Sequence, residues 1–115
     1  MDGYTWDSTG KLLGPFALPY ETQAVGYAFF LAPDGGLYHY GTKFAGGVAS
    51  ATGFHDDALN ADQVTFFDST GAGYVWRSNG SLTPADTYPA GTIAVGNGFF
   101  LTPSGVLYHY GASVA

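Results

Sequence analysis

Shifted by 70 positions, residues 3–45 align without a gap on residues 73–115, and 22 of the 43 aligned pairs are identical. The densest stretch, Val25-Gly26-x-x-Phe29-Phe30-Leu31-x-Pro33-x-Gly35-x-Leu37-Tyr38-His39-Tyr40-Gly41, matches Val95 to Gly111. An earlier one pairs Tyr4-x-Trp6-x-Ser8-x-Gly10-x-Leu12 with Tyr74 to Leu82. A chain that repeats itself builds one supersecondary unit more than once and buries the apolar face of each unit on the next. A shorter period lies inside the 70. Tyr-x-aromatic triplets begin at Tyr4, Tyr38, Tyr74 and Tyr108, and Phe-Phe pairs stand at Phe29-Phe30, Phe66-Phe67 and Phe99-Phe100. The unit is therefore about 35 residues long, in two alternating types. Its 115 residues suffice for one domain. It divides into a half unit 1–21, a unit 22–58, a unit 59–91 and a partial unit 92–115.

Each unit reads as antiparallel β. Aromatic and β-branched runs are bounded by turn residues, and no stretch keeps a helical period. Five turns end in glycine: Asp7-Ser8-Thr9-Gly10, Ala32-Pro33-Asp34-Gly35, Asp68-Ser69-Thr70-Gly71, Arg77-Ser78-Asn79-Gly80 and Thr102-Pro103-Ser104-Gly105. That pattern predicts type I turns closed by a left-handed residue. Adjacent apolar residues in the Phe-Phe strands predict burial on both faces, as in a sheet stacked between two others. The segment from Phe44 to Asp62 is the least regular, and His55 to Asn60 is expected to be a loop or one short helical turn.

The Phe-Phe-x-x-x-x-Gly-x-Leu-Tyr hairpin at Phe29 to Tyr38 and Phe99 to Tyr108, with a looser version at Phe66 to Tyr74, resembles the blades of tachylectin-type β-propeller lectins. The resemblance implies a propeller blade as the unit and a carbohydrate as the ligand. Propellers need about four to eight blades, and this chain supplies three hairpins and a leading half unit. The expected fold is all-β, a partial β-propeller of blade-like antiparallel repeats completed by oligomerisation. A β-trefoil is the alternative.

Composition narrows the function. Nine acidic residues stand against Lys11, Lys43 and Arg77, for a net charge of −6. Three cations cannot neutralise the several phosphates that nucleic-acid binding requires, nor dock on anionic lipid. The chain has no cysteine, hence no disulfide, thiol nucleophile or cysteine zinc site. No apolar run is long enough for a membrane-spanning helix, so membrane insertion is not expected. Met1 opens no signal-peptide pattern. The charge-poor composition favours an extracellular, virion or cell-surface setting.

No nucleophile, base and stabiliser recur at a recognised spacing, so a non-enzymatic protein without cofactor or metal is expected. Asp7, Asp34 and Asp68 read as turn residues, and Asp7 to Lys11 lacks the pattern of a phosphate loop. His55-Asp56-Asp57 contains metal-ligand types but reads better as a solvated loop. His39 and His109 share one repeat position and read as packed rings donating to a backbone carbonyl. The aromatic share of 17% is high, and rings can stack on sugars as well as fill a core. The candidate ligand contacts are the aromatics Trp6, Trp76, Tyr27, Tyr20 and Tyr88, with Asp7 and Asn79 to bond hydroxyls. The expected function is a carbohydrate-binding module with sites repeated on successive units. The alternative is a self-assembling structural protein of a virion, fibre or cell surface. A homo-oligomer and a glycan are the expected partners.

Overall fold

The computed structural model describes residues 1–6, 10–83 and 85–114, and the described chain is all-β with no helix. Asp7 lies outside the described residues. The strands are β1 (Asp2–Trp6), β2 (Leu12–Ala17), β3 (Gln23–Gly26), β4 (Phe29–Leu31), β5 (Leu37–His39), β6 (Thr42–Ala45) and β7 (Val48–Asp56). They continue as β8 (Ala61–Asp68), β9 (Ala72–Arg77), β10 (Asp86–Thr87), β11 (Ile93–Gly96), β12 (Phe99–Leu101), β13 (Leu107–His109) and β14 (Ala112–Ser113). β1 and β2 form a two-stranded ribbon, and β3–β6, β7–β10 and β11–β14 form three four-stranded sheets. Pairing is antiparallel between chain neighbours throughout. No closed barrel forms among the described residues.

The two aligned stretches pair alike. Phe29 faces His39, Phe30 faces Tyr38 and Leu31 faces Leu37; Phe99, Phe100 and Leu101 face His109, Tyr108 and Leu107. Both carry a register shift at the same place, between Ala24 and Gly26 and between Ala94 and Gly96. The Thr22 hydroxyl donates to the Pro19 carbonyl at 2.6 Å, and that of Thr92 to the Pro89 carbonyl at 2.6 Å.

Four of the five glycine-closed turns form as the sequence predicts, and the fifth, Asp7 to Gly10, lies largely outside the described residues. Gly35, Gly71, Gly80 and Gly105 each donate to the carbonyl three residues back, with φ between 89° and 95°. An L side chain there would be strained, which is why each of these turns closes on glycine. The turn at Asp68 is the best held: one carboxylate oxygen accepts from the Thr70 amide (3.0 Å), the Thr70 hydroxyl (2.7 Å) and the Ala72 amide (3.0 Å). Burial alone would raise the Asp68 pKa, but these bonds win and hold it below the usual carboxylate value.

The middle sheet, β7–β10, is covered on both faces. On one side Val64 and Phe66 pack with Phe29 and Leu37, and the Trp76 ring stacks on Phe44 at 4.2 Å and meets Phe29 edge-on at 5.9 Å. On the other, Phe67 and Tyr88 pack with Ala94 and Phe100. Phe29 is fully buried, and both members of each Phe-Phe pair in β4 and β8 lie in the core, as adjacency in the sequence predicts, whereas in β12 only Phe100 is buried and Phe99 is partly open. Burying one such ring contributes about 1.5–3 kcal/mol. The ribbon lies over the far face of the first sheet, with Phe16 against Phe30 (centroids 6.4 Å apart) and Tyr40 (5.8 Å).

The expectation for residues 44–62 needs correction. Val48–Asp56 is the longest strand of the chain, nine residues, and the turn is confined to residues 57–60. Its residues from Ala49 to Gly53 are small or hydroxylated because the strand runs close to both neighbouring sheets. A Cβ on Gly53 would meet the Gly26 carbonyl carbon at 2.7 Å. Towards the third sheet, Thr52 donates to the Ala94 carbonyl at 2.9 Å and Ser50 accepts from the Ala94 amide at 3.1 Å. Close approach, not apolarity, dictates that composition.

Candidate functional site

The turn joining β3 to β4 holds Tyr27 and Ala28 at φ of 46° and 68°. The equivalent turn of the second copy has Asn97 and Gly98 there, at 50° and 77°. Asn and Gly enter the left-handed region cheaply, whereas a bulky side chain costs about 1 kcal/mol or more. The first copy therefore carries strain at Tyr27 that the second avoids, whereas Tyr40 and Tyr110 sit in the same region, at 54° and 48°, in both copies; strained positions concentrate at functional sites. Tyr27 is 59% exposed and its ring lies parallel to that of His55, 6.2 Å away.

Below Tyr27 opens a groove of about 360 Å³, with Trp6, Tyr40, His55 and Asp62 among its lining residues. Trp6, at the end of β1, is 72% exposed. His55 and Asp62 are cross-strand partners at the tip of the β7–β8 hairpin. The Asp62 carboxylate joins two imidazoles: His55 Nδ1 lies 2.9 Å from one oxygen and His39 Nε2 lies 2.8 Å from the other. With each nitrogen carrying its proton, both rings donate and the carboxylate accepts. The Asp62 amide donates to the Ser78 hydroxyl at 2.9 Å, which fixes the strand that carries it. His39 is locked further between the rings of Phe29 (4.6 Å) and Trp76 (5.5 Å).

The hydrogen bond to Asp62 raises the His55 pKa above its ordinary 6.5; desolvation opposes this, and the charges of Asp62 and Asp57 add to it. Asp57 lies 3.6 Å from His55 Nε2 and is exposed. Asp56 turns the other way and caps the loop, accepting from the Ala58 and Leu59 amides at 3.0 and 3.2 Å. Among the described residues no three His, Asp or Glu side chains converge to hold a metal ion. The groove offers aromatic surface beside a fixed set of hydrogen-bonding groups, which suits a ligand with an apolar face and hydroxyls around it.

Of the described residues singled out by sequence, the structure brings Trp6 and Tyr27 together and disperses the others. Trp76 is packed between the first two sheets. Tyr88 is 5% exposed, stacked on Phe100 at 4.7 Å, and its hydroxyl accepts from the Gly111 amide at 3.1 Å. Asn79 stabilises its own turn, accepting from the Ser81 amide (3.0 Å) and hydroxyl (2.8 Å). Tyr20 is 80% exposed and outside the groove's lining. Asp62 and Tyr40 were missed. The signal for Asp62 was its pairing with His55 across a four-residue turn, visible only once β7 is read as a strand.

Comparison with protein-family models, with curated proteins and with solved structures returned no match.

Proposed function

We propose that the chain is a non-enzymatic carbohydrate-binding module that uses the groove beneath Tyr27. The observation that carries this reading is the presentation of Tyr27 at a strained turn, over a groove shared by Trp6, His55 and Asp62. A pyranose ring has apolar faces that stack on aromatic rings, while its hydroxyls pair with carboxylate and imidazole groups. The repeated sheets, the first two of which hold a Phe-Phe strand buried on both faces, fit blades of a partial propeller, in keeping with the tachylectin-like hairpins. The site is single in this reading, because the second copy has Asn97 in place of Tyr27.

Glycan-array screening followed by calorimetry tests it. Tyr27→Ala and Trp6→Ala are each expected to weaken binding about tenfold, or 1.4 kcal/mol, with the melting temperature almost unchanged because both rings are exposed. Full affinity in both variants would sink the proposal.

A second reading, self-assembly, has its own support. Ile93 and Val95 on the third sheet are 52% and 45% exposed, and Phe99 and Leu107 are only partly covered, whereas Phe29 and Leu37 are fully buried. An uncovered apolar face is a site of association. Light scattering at low and high concentration is expected to show a discrete oligomer that Val95→Lys dissociates. A monomer at every concentration would remove this reading.

A further inference from the structure

We infer that the cleft beside β1 is a docking slot for a β-hairpin of the β7–β8 type, carried by a second polypeptide. The inference goes beyond carbohydrate binding and rests on the duplication. In the complete sheet, β9 pairs on one edge with β10 and on the other with β8, where Tyr74 meets Phe66, Val75 meets Thr65 and Trp76 meets Val64. β1 carries Tyr4 and Trp6 at the positions of Tyr74 and Trp76, with Thr5 in place of Val75, yet among the described residues it pairs with β2 alone. Its other edge is open, and an open edge is a template for one more strand.

The floor beside that edge is also duplicated. In the second copy, the hairpin β7–β8 lies over β11 and β12. Ser50 and Thr52 bond the Ala94 amide and carbonyl, Thr65 accepts from the Gly98 amide at 2.9 Å, and Phe67 packs with Phe100. The first copy has Ala24, Ala28 and Phe30 at those positions in the same register. There they line a cleft of about 370 Å³ whose wall is Tyr4, Thr5 and Trp6. The Thr5 hydroxyl is buried at this wall with no hydrogen-bond partner. A buried hydroxyl left unpaired costs about 1–3 kcal/mol, and an incoming strand with a hydroxyl or backbone group opposite it would remove that cost. A hairpin with small and hydroxylated residues facing the floor, as in Val48–Asp68, meets each of these groups as its counterpart does in the second copy.

The probe is a synthetic peptide of residues 46–71 of this chain, titrated into the isotope-labelled full chain and followed by NMR. The expected result is saturable binding, with shifts at Gly3–Trp6, Ala24 and Ala28 and slowed hydrogen exchange along β1. Replacing the threonine equivalent to Thr65 by valine in the peptide weakens binding about tenfold, through the hydroxyl lost to the Ala28 amide. Because the slot shares Thr5, Trp6, Tyr27 and Ala28 with the carbohydrate groove, bound peptide also displaces glycan. An isolated hairpin can aggregate, so a second measurement uses a chain in which residues 46–71 are repeated after Ala115. Its melting temperature is expected to rise by about 10 °C, with β1 amides protected. An unchanged melting temperature with unprotected β1 amides would overturn the proposal. So would protection of β1 that grows with concentration in the chain alone, which would make a second copy the occupant. His55→Ala removes a side chain that lines the groove but not the slot, so loss of glycan binding there with peptide affinity unchanged keeps the two readings separable.

Discussion

The two copies of the repeat share half their residues and their strand registers, but their surroundings differ. Phe29 is fully buried beneath the middle sheet, while its counterpart Phe99 is partly open. Trp76 is clasped by Phe29, His39 and Phe44, while Trp6 is 72% exposed. The two histidines diverge most in chemistry. His109 Nε2 donates to the Asn97 carbonyl at 3.1 Å, as the sequence led us to expect, whereas His39 Nε2 donates to the Asp62 carboxylate at 2.8 Å. The local motif sets the backbone and the direction of each side chain. What the side chain then does depends on which sheet stands beside it.

The largest expected effect that could break this comparison is at the buried rings. Phe29→Ala should cost about 3–5 kcal/mol, and Phe99→Ala no more than about 2. Urea unfolding measures both, and Phe29→Leu, at about 1 kcal/mol, keeps the test alive if the alanine variant does not fold. Equal losses at 29 and 99 would mean that the third sheet's face is covered after all. Next come the tryptophans: Trp76→Ala should cost about 3 kcal/mol and Trp6→Ala under about 0.5. A large loss at Trp6 would put that ring in a core.

Smaller effects sharpen the picture. Asp68→Ala should cost about 1 kcal/mol, at the low end for a charged acceptor because the side chain is partly exposed. Since the Asp68 pKa is depressed in the folded state, its contribution is complete above the ordinary carboxylate value and is lost as pH falls through the folded one. A denaturation series between pH 5 and 2 should therefore show wild type and variant converging at the acid end. The smallest effect is at His55. Its raised pKa means that the interaction with Asp62 is complete below the ordinary 6.5 and is lost as pH rises through the folded value. NMR titration should place His55 above 6.5, and Asp62→Asn should bring it back. A titration indifferent to that substitution would dissolve the cluster.

Much of the fold could be read from the chain because its signals are local. Glycine-closed turns and paired phenylalanines report on their own φ angles and their own two faces. The strand Val48–Asp56 could not be read this way, since its alanines, serine, threonine and glycine answer to backbones 27 and 42 residues away, at Gly26 and Ala94. The site divides along the same line. Trp6 and Tyr27 announce themselves as aromatics, but Asp62 acquires its role from His39, 23 residues distant, and Trp76 loses its surface role to a sheet that Trp6 lacks.

The approach of Gly53 to Gly26 also decides how this molecule can vary. There, main chain rests on main chain, with no side chain between to trim or enlarge. A larger residue on either strand has nowhere to displace its volume except by driving two whole sheets apart, along with the rings of Phe29 and Trp76 that bridge them further out. Tolerance to substitution should therefore rise outward from this point. The short strands at the margin, β10 and β14, are free to change chemistry, while the centre acts as a fixed hinge pin about which the rest is measured.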